Sequence, residues 1–115
     1  MLHNEEAMHK TFYAIARLNM RIERHLFKIE HGVRLNTITA SRLKSQGLKG
    51  GLPDYLFYKK NSNGQILWIE FKYAKNKQSE SQKAFEFLAT ENNDKYLLSY
   101  DIDEAIAAVK QHMEE

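Results

Sequence analysis

The chain has 115 residues, 43% hydrophobic and 28% charged, with a net charge of +2 and no cysteine. That length suits one domain over residues 1–115 with a single core, and the lack of cysteine removes disulfides, thiolate metal sites and cysteine nucleophiles together. The apolar runs fall well short of the ~20 residues a membrane helix needs, and no basic-then-apolar leader opens the chain, so the expectation is a compact protein of a reducing cytoplasm.

From Glu5 to about Arg24 the apolar residues Met8, Phe12, Ile15, Leu18 and Ile22 recur at intervals of three and four, which predicts one amphipathic helix. Asn4 is placed to cap it, and Glu5 and Glu6 suit the positive end of its dipole. Leu26 to Ile29 alternates as a short strand does, and His31-Gly32 ends it in a turn. Thr37 is the expected cap of a second helix reaching Gln46, with Ile38 and Leu43 as its apolar contacts and Gly47 beyond its end. Glycine-rich residues 47–51 lead to Pro53, which lacks a backbone donor and belongs at a strand entrance.

Two β-like runs, 54–60 and 65–73, flank Asn63-Gly64, a strong hairpin signal. The second run is apolar on both faces, as a central strand is. Ser79 with Gln82 three residues on forms a capping box for a helix to about Glu91, Tyr96 to Ser99 is a strand, and Asp101 or Asp103 opens a last helix. The expected fold is α/β: a mixed central sheet flanked by helices, in the order α-β-α-β-β-α-β-α, with a crossover from the central strand to the last one.

Charge is unevenly distributed. No acid occurs between Glu30 and Asp54, whereas Arg34, Arg42, Lys44 and Lys49 do, and Lys72, Lys75 and Lys77 follow the hairpin. The tail carries Asp101, Asp103, Glu104, Glu114 and Glu115. A basic face around the hairpin and a more acidic back follow from this pattern, with Arg34, Arg42, Lys44, Lys49, Lys75 and Lys77 as candidate nucleic-acid contacts.

A charged Glu70 and Lys72 at the end of a central strand are an expensive placement without a task. Alternation puts them on one face with the Phe71 carbonyl between them, and Asp54 enters from the neighbouring strand. Two carboxylates and a carbonyl are hard oxygen ligands suited to Mg²⁺ or Mn²⁺. Such an ion activates water and stabilises charge on a phosphate, and Lys72 can hold the water or neutralise developing charge. His9, His25 and His31 have no zinc-site spacing and read as surface or half-buried side chains. Trp68 reads as core, and Tyr73 as core or a stacking platform.

Taken together, Arg42-Leu43-Lys44, Gly47, Gly51-Leu52-Pro53-Asp54, Ile69-Glu70-Phe71-Lys72, Ser79 with Gln82, and the closing stretch from Tyr96 to Ala105 resemble the virus-type replication-repair nuclease domain, VRR-NUC, a branch of the PD-(D/E)XK superfamily. The resemblance extends over nearly the whole chain. It implies a restriction-endonuclease-like core and metal-dependent nuclease activity, with Asp54 and Glu70 as metal ligands, Lys72 as the catalytic lysine and Gln82 as the helix glutamine. It also implies an acid from the first helix, for which Glu5 is the choice because Glu5, His9 and Phe12 share a helical face, with Glu6 the alternative. His9 stands where many relatives have Gln, and Glu30-His31-Gly32 where relatives often have Pro-Asn-Gly. The expected activity is structure-selective cleavage of branched or flapped DNA through phosphate contacts, by a two-fold homodimer acting like a Holliday-junction resolvase. The alternatives are a monomeric flap or single-strand nuclease and a non-catalytic nucleic-acid-binding module.

Overall fold

The computed structural model describes residues 4–29 and 36–115. Its elements are α1 (Glu5–Ala16), α2 (Met20–Glu23), β1 (Leu26–Lys28), α3 (Thr37–Ser45), β2 (Tyr55–Phe57), β3 (Leu67–Phe71), α4 (Glu80–Glu91), β4 (Lys95–Ser99) and α5 (Ile102–Glu114). Four strands form one sheet in the order β1-β2-β3-β4. The β1–β2 and β2–β3 pairs are antiparallel and β3–β4 is parallel, so β3 is central, as its two apolar faces predict. Among the described residues no helix is long and apolar enough to cross a membrane.

Helix α1 starts where Asn4 accepts a hydrogen bond from the Ala7 N–H at 2.8 Å, and it buries Met8, Phe12 and Ala16. It is shorter than its apolar spacing predicts. The Asn19 side chain accepts from the Arg21 N–H at 2.9 Å and starts a separate turn, α2, so the backbone breaks at residues 17–19. An asparagine carboxamide competes with helical hydrogen bonds in this way. The break turns Leu18 out to solvent, while Ile22 returns to the core.

The cap of α3 also differs from expectation. Asn36, not Thr37, accepts from the Thr39 N–H, at 2.7 Å, in line with the stronger capping preference of Asn. No α3 residue is buried, and Ile38 is exposed rather than packed.

Two glycine features set the approach to β2. Gly47 follows α3 at φ +104, as a residue past a helix end does. Gly51 has φ +92, and a Cβ there would lie 2.4 Å from the Ser81 carbonyl oxygen. The segment before Asp54 is thereby pressed against the first turn of α4, and buried Pro53 opens the strand.

The connection from β2 to β3 is longer than a two-residue turn. Gly64 has φ +76, but the loop is organised by buried Asn61, whose Oδ1 accepts from the N–H groups of Asn63 and Gln65 at 3.0 and 2.8 Å. The strands are consequently shorter than the runs 54–60 and 65–73. From β3 the chain returns through α4, which begins with the predicted capping box between Ser79 and Gln82. Asp101 caps α5 by accepting from the Asp103 N–H at 3.0 Å.

The core lies between one sheet face, carrying Tyr55, Phe57, Leu67, Ile69 and Phe71, and the inner faces of α1 and α5. Phe12, Phe57 and Phe71 are almost completely buried, each stabilising the fold by roughly 2–3 kcal/mol. His112 of α5 is also buried and donates its Nε2–H to the Lys59 carbonyl at 2.7 Å. Burial lowers its pKa. On the opposite face Trp68 packs edge-on to Phe85 of α4, with ring centroids 5.1 Å apart, and donates to Asp94 at 2.9 Å.

Candidate active site

Antiparallel register brings the two hairpin carboxylates together. Tyr55 pairs with Ile69, and the Asp54 N–H donates to the Ile69 carbonyl at 3.0 Å. The ladder thus extends one residue past β2 and sets Asp54 across from Glu70. Asp54 is fixed from the other side as well, because its Oδ2 accepts from the Phe71 N–H at 2.8 Å.

Glu70 is 1% exposed. Its Oε1 accepts a 2.5 Å hydrogen bond from the Tyr96 hydroxyl, which in turn accepts from Gln78 Nε2 at 3.3 Å. Its Oε2 is buried without a hydrogen-bond partner and lies 3.7 Å from Lys72 Nζ. Burial pushes the Glu70 pKa up, the Tyr96 hydrogen bond and the Lys72 charge pull it back, and the charges of Asp54 and Glu5 raise it further. Tyr96, half-buried and bonded to that carboxylate, has its own pKa driven far above the ordinary tyrosine range. A half-satisfied carboxylate held this way is costly in a folded chain unless something else binds it.

Glu5 is the α1 acid whose charge reaches Glu70, whereas Glu6 is exposed and pairs with Lys10 one turn along at 3.4 Å. Among the described residues no group of three or more His, Cys, Asp or Glu side chains is gathered for a metal ion. The donor set at hand is two carboxylates from adjacent strands. An orphaned, buried Glu70 oxygen, with the Asp54 charge near enough to raise the Glu70 pKa, suits a hard divalent cation completed by water, so the residues fit Mg²⁺ or Mn²⁺.

His9 is closer to the site than its sequence context predicts. Its ring packs against Tyr55 and Phe71 with centroids 5.4 and 5.5 Å away. Lys28 Nζ lies 3.1 Å from Nδ1, and Nε2 lies 3.8 Å from Asp54 Oδ2. An ammonium can only donate, so Nδ1 accepts and the ring proton sits on Nε2, toward Asp54.

A solved structure described as a VRR_NUC domain protein aligns with this chain at a TM-score of 0.83, covering 99% of this chain and 91% of that one at 15% sequence identity. The chain has the VRR-NUC fold. The sequence matches no protein-family model and no curated protein, so the likeness lies in the backbone path. Within this VRR-NUC fold, the hairpin register sets Asp54 across from Glu70, and Lys72 Nζ lies 3.7 Å from Glu70.

Of the remaining sequence candidates, Gln82 commits its side-chain carbonyl to the Ser79 N–H at 2.7 Å, within the capping box. The Phe71 ring is core, and its N–H serves Asp54. Arg42, Lys44, Lys49, Lys75 and Lys77 are all exposed, and Arg34 lies outside the described residues. Tyr96 and Gln78 were not legible as site residues, because the parallel register pairs Tyr96 with Trp68 and only its hydroxyl, reaching along the sheet, meets Glu70. His9 carried a faint signal through its helical face shared with Glu5.

Proposed function

We propose that this chain is a divalent-metal-dependent endonuclease that hydrolyses phosphodiester bonds in DNA. The observation that carries the reading is the pair of opposed carboxylates in a VRR-NUC fold, with one Glu70 oxygen buried, unpartnered and 3.7 Å from the Lys72 ammonium. Asp54, Glu70 and the Phe71 carbonyl are the groups that would hold Mg²⁺ or Mn²⁺, with Glu5 contributing negative charge from α1. When bound, the ion supplies an acidified water and charge neutralisation at the phosphate.

The chain's own residues do the rest. The Phe71 N–H orients Asp54, and the Tyr96 hydroxyl orients Glu70, so neither carboxylate has to reorganise during the reaction. Lys72, mostly buried beside Glu70, holds the attacking water or offsets charge developing on the phosphate oxygens. The exposed Arg42, Lys44, Lys49, Lys75 and Lys77 supply contacts to the DNA backbone. With little surface for reading bases, the domain selects branched or flapped DNA by shape. A two-fold pair of chains provides the two sites that a four-way junction needs.

The test is cleavage of a junction, a flap and a linear duplex, with and without Mg²⁺ or Mn²⁺, by the wild type, Asp54→Ala and Lys72→Ala. The expected result is metal-dependent cutting by the wild type and a loss of about a hundredfold or more in each variant. Equal cutting by all three proteins overturns the catalytic assignment, and binding without any cutting by the wild type makes the chain a nucleic-acid-binding module. Sedimentation addresses the pairing, and a monomer at micromolar concentration removes the resolvase form of the proposal.

A further inference from the structure

Beside the carboxylates, α1 and β1 enclose an open groove of about 530 Å³. Its walls include His9, Tyr13 and Tyr55, and its cations are Lys10, Arg17 and Lys28. Glu6 is the acid among its lining residues, and it is paired with Lys10 at 3.4 Å, which leaves Arg17 and Lys28 as surplus positive charge. Tyr13 is 40% exposed and is held by a 3.3 Å hydrogen bond from its hydroxyl to Glu23, while Lys28 Nζ lies 4.9 Å over the Tyr55 ring.

The groove adjoins the site through His9. Lys28 touches His9, and the far nitrogen of His9 lies 3.8 Å from Asp54 Oδ2, so the inner wall of the groove reaches one of the two carboxylates. Tyr55, the residue after Asp54, backs the groove but is buried, its ring packed on His9 and covered by Lys28.

An exposed aromatic side chain beside surplus cations is the chemistry that holds single-stranded nucleic acid, through base stacking and phosphate neutralisation. The volume lies within the range of small-ligand pockets and so matches one nucleotide rather than a duplex. We propose that this groove takes one unpaired nucleotide of the DNA strand adjoining the cleaved phosphodiester, its base against the exposed Tyr13 side chain and its phosphate toward Arg17 and Lys28. The proposal rests on the nuclease reading and deepens it by assigning the unpaired strand of a branched or flapped substrate to the α1–β1 groove.

The experiment is fluorescence anisotropy of a labelled oligothymidylate and of a blunt duplex of equal length, in EDTA, across a salt series. Tyr13→Ala and Arg17→Ala both change the groove away from the carboxylates. Tyr13→Ala is expected to weaken oligothymidylate binding about tenfold, and Arg17→Ala to flatten its salt slope by about 0.7, with Arg17→Lys restoring the slope and duplex affinity unchanged in all three. Unaltered oligothymidylate binding in both alanine variants, or an equal loss for the duplex, overturns the groove assignment. Because no divalent ion is present, that outcome is independent of cleavage. Undiminished cutting by Asp54→Ala, by contrast, defeats the nuclease reading and leaves the binding result standing.

Discussion

Replacing Tyr96 with Phe removes one oxygen from the candidate site. That oxygen donates the 2.5 Å hydrogen bond to Glu70 Oε1. Hydrogen bonds to charged groups contribute about 1.5–3 kcal/mol, and Glu70 has no ready substitute, since it is buried and its other oxygen already lacks a partner. The other side of the hydroxyl costs little, because half-buried Gln78 can turn to water. Tyr96→Phe is therefore expected to lose about 2 kcal/mol at pH 8 in EDTA, which moves a urea midpoint by roughly 1 M at an m-value near 2 kcal/mol/M. Partners that orient a ligating carboxylate typically change metal affinity 10–100-fold. Calorimetric titration with Mn²⁺ should accordingly give a Kd at least about tenfold weaker than wild type. A variant with both the wild-type midpoint and the wild-type Mn²⁺ affinity refutes the reasoning, since Glu70 would then owe nothing to Tyr96.

Other expectations follow from the same geometry. Gly51→Ala should cost about 1–3 kcal/mol more than Gly64→Ala in urea denaturation, because both have positive φ but only at Gly51 would a Cβ meet backbone, at 2.4 Å; equal losses would refute the close approach to α4. Glu70 has a raised pKa in the folded state, so its ionisation penalises folding, and its contribution falls as pH rises from the ordinary value of 4.5 through the raised one. The melting temperature of Glu70→Gln relative to wild type, both free of metal, should therefore increase with pH over that window, and a flat difference would contradict the burial argument. Comparing the two proteins cancels His112, whose lowered pKa acts in the opposite sense, its stabilisation being lost as pH falls below about 6.5. Asn36→Ala should speed amide exchange in α3 as a lost cap worth about 1 kcal/mol does, while Thr37→Ala should not.

Local signals carried most of the fold. Asn4, the Ser79–Gln82 box and Asp101 act within a few residues of themselves, and each caps its helix as the sequence suggests. The central position of β3 was legible because a strand apolar on both faces has to be covered on both, which a middle place in the sheet provides. What failed was competition between neighbouring local signals: Asn36 against Thr37 for one cap, and Asn19 against a continuing apolar stripe. Asp54, Glu70 and Lys72 could be anticipated because one hairpin holds them. Tyr96 could not, and His9 only faintly through its helical face, because their approach depends on how distant segments stack, and alternation within a strand does not encode that.

Glu115 ties together parts of the chain that are remote in sequence. Its carboxylate accepts from Asn61 at 3.1 Å and from Lys95 at 2.8 Å, and its backbone carbonyl accepts from the Ser62 N–H at 3.0 Å. With His112 bonded to Lys59, the end of α5 joins the β2–β3 loop to the start of β4. These segments should open as one unit in hydrogen exchange, with the amides of the 61–65 loop sharing the protection of α5 rather than exchanging as a free turn. The far end of the hairpin that carries the two carboxylates is thus clamped, and its register at Asp54 and Glu70 is defended from a point a full strand length away.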